Sequence, residues 1–436
     1  MGDKASPGEL RRRFKPSVRL MSSAPATPEN PHPGMGFRQF VVFIAAMMAT
    51  NAIAIDSMLP ALPEIGHALA IDTANHAQWV ITAYLLGFGA AQIIYGSLAD
   101  RFGRRSVLMV GLAIYTLASI GAIFAGSFEV MMAARALQGV GSAATRILAV
   151  AIVRDCYSGR QMARVMSLAF IVFLSVPIIA PSIGQLIVLF APWRGIFVML
   201  CLFGAVLMVW TWLRLPETLH PEDRTPISVA GISHAFGLVL GSRITVGYML
   251  AMTMVMGGLF GFINSSQQIF ADAFDAAHLF TIVFALIAVF MALSSLLNAR
   301  IVGRVGMRRV SHAALLGYLA ITLVHAGVVA SGVENIWTFS ILQAGMMFCF
   351  GLMVSNFNSM AMEPVGHVAG TASSLLGFVS TIGGALLGFV LGQNFDGTTL
   401  PLTFGFAAFG VMALVFVLFA EKGRLFSSHG APAGRS

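Results

Sequence analysis

The chain alternates long apolar runs with short polar joints that carry most of its arginines. A helix needs about 18 to 25 mostly apolar residues to cross the hydrocarbon of a bilayer. Runs of that kind fall near 37–60, 79–99, 107–126, 129–153, 165–189, 194–215, 244–268, 279–300, 310–330, 336–361, 367–391 and 401–420. The pattern predicts an all-α membrane protein with twelve transmembrane helices. Residues 1–36, rich in Pro, Ser and Arg, read as a basic cytoplasmic tail without fixed structure. The polar stretch 216–242, with Pro216, Pro221 and Pro226, reads as a cytoplasmic linker between a six-helix half at 37–215 and a second at 243–420. Residues 421–436 close the chain as a second cytoplasmic tail.

Composition agrees with this reading, since 57% of the 436 residues are apolar and only 10% charged, whereas soluble domains carry about a quarter charged residues. Of the 26 Lys and Arg residues, 23 fall in joints on one side of the predicted spans. Only Arg194 lies in a joint on the other side, and Arg135 and Arg146 sit inside the fourth span. A bias this steep places both termini in the cytoplasm. The basic residues recur joint by joint, unlike the basic face of a nucleic-acid binder. Cys156, Cys201 and Cys349 are isolated, which supports neither a disulfide framework nor a metal site.

The two halves carry an internal repeat. Arg101, Gly103 and Arg105, after the second span, recur 203 positions later as Arg304, Gly306 and Arg308, after the eighth. Parallel repeats of six spans are one layout of secondary transporters, with substrate bound near the midplane where the halves meet.

The segment Gly96-Ser97-Leu98-Ala99-Asp100-Arg101-Phe102-Gly103-Arg104-Arg105 resembles the loop motif of the major facilitator superfamily. Further segments resemble its proton-driven drug exporters, in particular the bicyclomycin and chloramphenicol resistance (Bcr/CflA) subfamily. They are Asp56 with Leu59-Pro60-Ala61-Leu62-Pro63, Arg135-Ala136-Leu137-Gln138-Gly139-Val140-Gly141, Leu215-Pro216-Glu217-Thr218-Leu219, and Ala369-Gly370-Thr371-Ala372-Ser373-Ser374. The resemblance covers roughly 37–420 and implies the major facilitator fold. It also implies proton-coupled export of small lipophilic drugs across the bacterial inner membrane by alternating access. Transport of one defined small metabolite is the alternative. The antiporter pattern Gly-Pro-x-x-Gly-Gly of the fifth span stands here as Ala180-Pro181-Ser182-Ile183-Gly184-Gln185, a departure that bears on how tightly exchange is coupled.

The candidate residues follow from charge in an apolar setting. Asp56 lies within the first span, where an ionisable group costs about 2.5 to 3.5 kcal/mol on insertion scales unless it faces a cavity or a partner. It is the candidate proton carrier; the competing reading is a solvated acid at the interface near Pro60. Arg135 lies roughly 10 Å into the fourth span and Asp56 roughly 6 Å into the first, by the helical rise. The two are expected to couple, against the alternative that Arg135 is tied to Gln138 or to backbone carbonyls. Arg146, eleven positions on, is expected to face elsewhere and to serve structure, against the alternative that it lines the cavity. The resemblance implies an inner gate of Asp100, Arg101, Arg104, Arg105, Arg154 and Asp155. Gln138, Phe173, Phe260, Asn264, Gln267, Gln343, Asn356 and Phe357 are candidates for substrate contact, each also readable as packing.

No HExxH, GxSxG or cluster of acids supports an enzyme, and no Walker A loop supports ATP as the driver. The expectation is a monomer that uses no cofactor, takes its energy from the proton gradient, and has as partners a small lipophilic substrate, protons and the lipid bilayer, with no nucleic acid.

Overall fold

The computed structural model describes residues 34–71, 73–224 and 229–426. The predicted tails lie outside the described residues apart from 34–36 and 421–426. Eleven helical stretches are long and apolar enough to cross a membrane. One of them, Ile336–Gln393, has 58 residues and is two helices joined by a tight turn at Glu363–Val368, where Val365 leaves helical geometry. The crossing helices are therefore α1 Phe37–Asp56, α2 Trp79–Phe102, α3 Arg104–Ile123, α4 Phe128–Cys156, α5 Gly159–Phe190, α6 Arg194–Arg214, α7 Arg243–Gln268, α8 Phe280–Val305, α9 Met307–Ala330, α10 Ile336–Met362, α11 Ala369–Gln393 and α12 Leu400–Ala420.

Helices are the local solution because a segment in lipid must satisfy its own backbone N–H and C=O groups. Their ends follow local chemistry. Asn335 and Thr338 form a reciprocal cap at the start of α10. Gly103 (φ 94°) and Gly306 (φ 91°) reverse the chain between α2 and α3 and between α8 and α9, in a backbone region that only glycine occupies without strain. The linker contains a further helix, Val229–Gly241, which the sequence pattern did not predict; its Ala235 and Val239 are buried, and it packs on α7 and α11.

In the first half α1 packs on α5, α2 and α3 pack on α4, and α3 packs on α6; in the second, α7 packs on α11 and α12, and α10 on α8 and α9. The halves meet along α2 with α11 and along α5 with α8. One face of the molecule carries the linker and both described chain ends; the opposite one is termed the far face. Near the far face α5 buries Ala180, Pro181 and Gly184, and α8 buries Phe280, Val283, Phe284, Ile287 and Ala288. Toward the linker face α5 buries only Val165 and Ala169. These residues seat each helix within its own half, Gly184 on Ser57 and Phe284 on Phe262; between the halves, α2 and α11 stay in contact toward the linker face, where a Cβ at Gly96 would lie 3.3 Å from Ser374 Oγ.

Candidate functional site

The far-face closure is built from neutral amides. Gln78, just before α2, donates to Gln268 Oε1 (2.5 Å) and to the carbonyl of Gly392 (3.1 Å). Gln268 donates in turn to Asn75 Oδ1 (2.8 Å), and Asn75 donates to the carbonyls of Gln393 and Phe395 (3.1 and 3.0 Å). These bonds tie the start of α2 to the ends of α7 and α11, one half to the other. A second bridge lies deeper, from Gln92 to Thr381 Oγ1 (3.1 Å). Sequence reasoning missed Asn75, Gln78, Gln268 and Gln393, and placed a candidate on Gln267, one residue from the amide that makes the contact. Amides at span edges look alike in sequence; only the packing of α2 against α11 selects these.

Asp56 ends α1 and is 5% exposed. The stretch begun by α1 continues past Asp56 through a turn and two short helices to Ala68, and the carboxyl is enclosed by protein, not solvated at an interface. Its carboxylate accepts no hydrogen bond and forms no ion pair among the described residues. The fifth helix comes closest beside it: a Cβ added at Gly184 would lie 1.8 Å from the carbonyl oxygen of Ser57. Of the altered fifth-span pattern, the glycine that this backbone approach requires is therefore present, while Ala180 and Gln185 occupy the two departures.

Arg135 is fully buried and held on all sides. Its Nε donates to the carbonyl of Val80 (2.9 Å), Nη2 to the carbonyl of Ala54 (3.1 Å) and Nη1 to Gln138 Oε1. Its guanidinium carbon lies 4.5 Å from the Tyr84 ring centroid. The expected pair with Asp56 is not formed; the arginine spends its donors on the backbone of α1 and α2. Gln138 is occupied as well, donating to Ser119 Oγ (2.7 Å), so it braces the arginine and does not present its amide to a ligand.

Arg146 corrects a second expectation. Eleven residues are about three turns at 3.6 residues per turn, so Arg146 returns to the face of α4 that carries Arg135. Unlike Arg135, it is exposed, and it makes no hydrogen bond or ion pair among the described residues.

At the linker face Arg104 is 4% exposed and lies between two acids, with Nη1 2.5 Å from Asp100 and Nε 3.0 Å from Asp155. Glu217 accepts from the backbone N–H groups of Arg104 (2.7 Å) and Arg105 (3.2 Å) at the start of α3, where free amides and the helix dipole favour an anion. Arg105 donates to the carbonyl of Trp212 (2.7 Å), while Arg101 lies over Phe102 and Arg154 is exposed. The network fastens α2, α3, α4 and the end of α6 to one another. It stays within the first half, so in this conformation it does not brace one half against the other. Glu217 belongs to a segment quoted above for the resemblance, but nothing in the sequence pointed to its capping role.

The remaining candidates divide. Asn356 donates to Asn298 Oδ1 (2.8 Å) and clamps α10 to α8. Phe357 is fully buried against Tyr248, with ring centroids 5.5 Å apart, and Phe260 packs where α7 meets Gly388 of α11. In this arrangement these three pack against neighbouring helices. Phe173 is half-buried, edge-on to Phe170, and Gln267 is half-buried. Asn264 and Gln343 are buried with no hydrogen-bond partner for either amide atom, which in an apolar core is costly unless something else pairs with them.

Two repeated halves of six helices, meeting along α2 with α11 and α5 with α8 and clasped at one face by neutral amides, have the layout of a secondary membrane transporter. The chain matches the Major Facilitator Superfamily over residues 40–388 and belongs to that family. It is 28% identical to a bicyclomycin resistance protein homolog of Haemophilus influenzae, over 88% of this chain and 97% of that protein. It is 30% identical to a chloramphenicol resistance protein of Pseudomonas aeruginosa, over 80% of this chain and 81% of that protein. Among solved structures, the partially occluded inward open conformation of the xylose transporter XylE from Escherichia coli superposes with a TM-score of 0.67 at 12% identity, over 88% of this chain and 97% of that one. At that identity the likeness speaks for the fold alone.

Proposed function

We propose that the chain exports small lipophilic drugs across the bacterial inner membrane in exchange for protons, with both termini in the cytoplasm. The linker face, which carries nearly all the arginines of the joints, is then the cytoplasmic face, and the amide clasp lies at the outer side. The names of the relatives support the substrate class. Asp56 carries the energetic reading, as a buried carboxylate with no partner at a close contact between α1 and α5. Charge at such a position carries a desolvation cost that protonation removes, so proton occupancy biases which arrangement of α1 and α5 is favoured. Among the charged groups within the crossings, Arg135 positions α1 and α2 beside Asp56 and exchanges no proton itself. The Arg104 network keeps the first half rigid as it rocks.

Asp56→Asn in inverted membrane vesicles tests this directly. Acidification-driven uptake is expected to be abolished while substrate binding to the purified protein persists. Undiminished gradient-driven uptake in that variant would remove Asp56 from the mechanism. A resistance profile of cells with and without the chain, across phenicols, bicyclomycin and cationic dyes, fixes the substrate range.

A further inference from the structure

We propose that the molecules this chain carries include amphipathic anions, and that Arg146 is the cation that receives their charge; the inference rests on the export reading and narrows its substrate class. Four directions around α4 show where Arg146 points. Gly139 abuts α2, since a Cβ there would lie 2.0 Å from the Tyr84 carbonyl oxygen, and Gly141 abuts α3, 2.4 Å from the Tyr115 nitrogen. Arg135 reaches α1 through the carbonyl of Ala54. Ala133 and Leu137, exposed near the far face, mark the side turned to lipid.

Arg146 follows Gly139 by seven residues, about two turns, and Leu137 by nine, about two and a half. It therefore points between α2 and α1 and away from the lipid side, into the space between the halves. Arg146, Val150 and Arg154 are all exposed at four-residue steps, one stripe leading from inside α4 to the linker face.

The mouth arginines are accounted for by topology. Arg146 is not, because ten residues, about 15 Å of helix, separate it from the end of α4. It forms no ion pair among the described residues. Asp56 does not neutralise it: that acid lies beside Ala54, the partner of Arg135, about 16 Å nearer the far face by the rise of α4.

Arginine keeps its charge at working pH. While the cavity is open, water solvates it. When the halves close over the linker face and water leaves, an unpaired guanidinium is stranded in a low-dielectric space, which is strongly unfavourable. A carboxylate or sulfonate on the cargo relieves that cost with a bidentate pair. A neutral compound does not relieve it, and a cationic dye adds repulsion.

The test uses purified full-length chain in phosphatidylcholine nanodiscs and three labelled probes of one shape: 1-naphthoate, neutral 1-naphthamide and cationic 1-naphthyltrimethylammonium. The parent is expected to bind the three in that order. Arg146→Gln is expected to weaken naphthoate about tenfold or more, as loss of a charged hydrogen-bond partner does, and to leave naphthamide unchanged. Arg146→Lys, which keeps the charge without the bidentate fork, should bind naphthoate more weakly than the parent but more tightly than Arg146→Gln. Equal naphthoate affinity in parent and Arg146→Gln, or a preference for the cation in the parent, overturns the proposal. So does competition by added phosphatidylglycerol, which would assign the arginine to a lipid headgroup. If Arg146→Gln loses naphthamide as well and so proves misfolded, the ranking of probes in the parent and in Arg146→Lys decides. The export reading is judged separately, by acid-driven uptake of neutral chloramphenicol into inverted vesicles of the parent. Uptake of the neutral drug without an anion preference sinks this inference alone, and an anion preference without any gradient-driven uptake sinks the export reading alone.

Discussion

The two halves repeat a backbone and two of its turn arginines, Arg101 and Arg105 as Arg304 and Arg308, but not the partners of those charges. Gly184 of α5 crosses α1 at Ser57, and Gly388 of α11 crosses α7 at Phe260 and Gly261, at positions about one repeat apart. Gly103 and Gly306 turn the chain between consecutive helices with the same positive φ. Around these shared points the wiring differs. In the first half Arg104 pairs with Asp100 and Asp155, and Glu217 caps α3. In the second, Gly303 and Met307 stand at the positions of Asp100 and Arg104, and Arg308 reaches Glu363 (3.1 Å) and buried Glu421 (2.8 Å). Glu421 also accepts from Tyr248, whose hydroxyl meets the ring of His312. Within the crossings the first half holds Asp56, Arg135 and Arg146, whereas the second buries amides such as Asn264, Asn298, Gln343 and Asn356 together with two histidines, His312 and His325. Shape is what the repeat preserves, because helix crossings tolerate little change; the partners of the charges were free to differ between the halves.

The sharpest way to break this comparison is at the paired helix crossings. Gly184→Ala drives a methyl into the Ser57 carbonyl at 1.8 Å, and Gly388→Ala meets the Gly261 nitrogen at 2.6 Å. Both contacts are backbone and cannot be relieved by a rotamer. Gly184→Ala is expected to cost more than about 3 kcal/mol and to abolish transport, and Gly388→Ala about 1 to 3 kcal/mol. Thermal denaturation of the purified protein ranks them, and equal losses would mean that the two crossings are equivalent.

Charge against amide comes next. Arg135→Lys keeps the charge but loses the planar fork that reaches Ala54, Val80 and Gln138 together. A loss of about 2 to 4 kcal/mol is expected, against about 1 to 2 for Asn356→Ala in the second half. The same denaturation experiment checks both, and an Arg135→Lys variant as stable as the parent would show that position alone, not bonding geometry, matters there.

The turn glycines isolate the effect of the cap. Gly306→Ala is expected to cost only the backbone strain of its φ, about 1 to 3 kcal/mol, since no atom lies within 4 Å of its added Cβ. Gly103→Ala carries the same strain and also displaces Glu217, whose Oε2 lies 2.3 Å from the new Cβ. Its loss should exceed that of Gly306→Ala by about 1 to 2 kcal/mol. Equal losses would deny the cap any energetic role.

The smallest effect is expected at the far-face clasp. Gln78→Ala removes the bonds to Gln268 and Gly392, each worth about 1 kcal/mol net, which is enough to shift a two-state population. Spin labels on exposed His67 and Asp396, one on each half, should report a larger fraction of long separations. An unchanged distance distribution would mean that apolar packing alone holds this face closed.

How far these features were legible depends on where their partners lie. The twelve crossings could be read from apolar run length, although α5 proved longer than its predicted span and the linker helix escaped notice because it is short and lies on no span. The shared face of Arg135 and Arg146 was also within reach, since eleven positions are three turns and not a change of face. The exposure of one and the burial of the other were not readable.

What the sequence determined by itself is whatever the bilayer imposes locally: each crossing must satisfy its own backbone, so run length marks the helices, arginine bias marks one side of them, and a repeated glycine marks one turn in each half. Tertiary structure alone decided the partners. Arg135 is held by carbonyls 55 and 81 residues away, and Gln78 by groups 190 and 314 residues away. A backbone carbonyl has no identity in the sequence, and a neutral amide pairs with whatever the packing brings within reach. For that reason the acid expected to balance Arg135 was found without it, and Arg146, expected to be structural, was found exposed with no ion pair among the described residues.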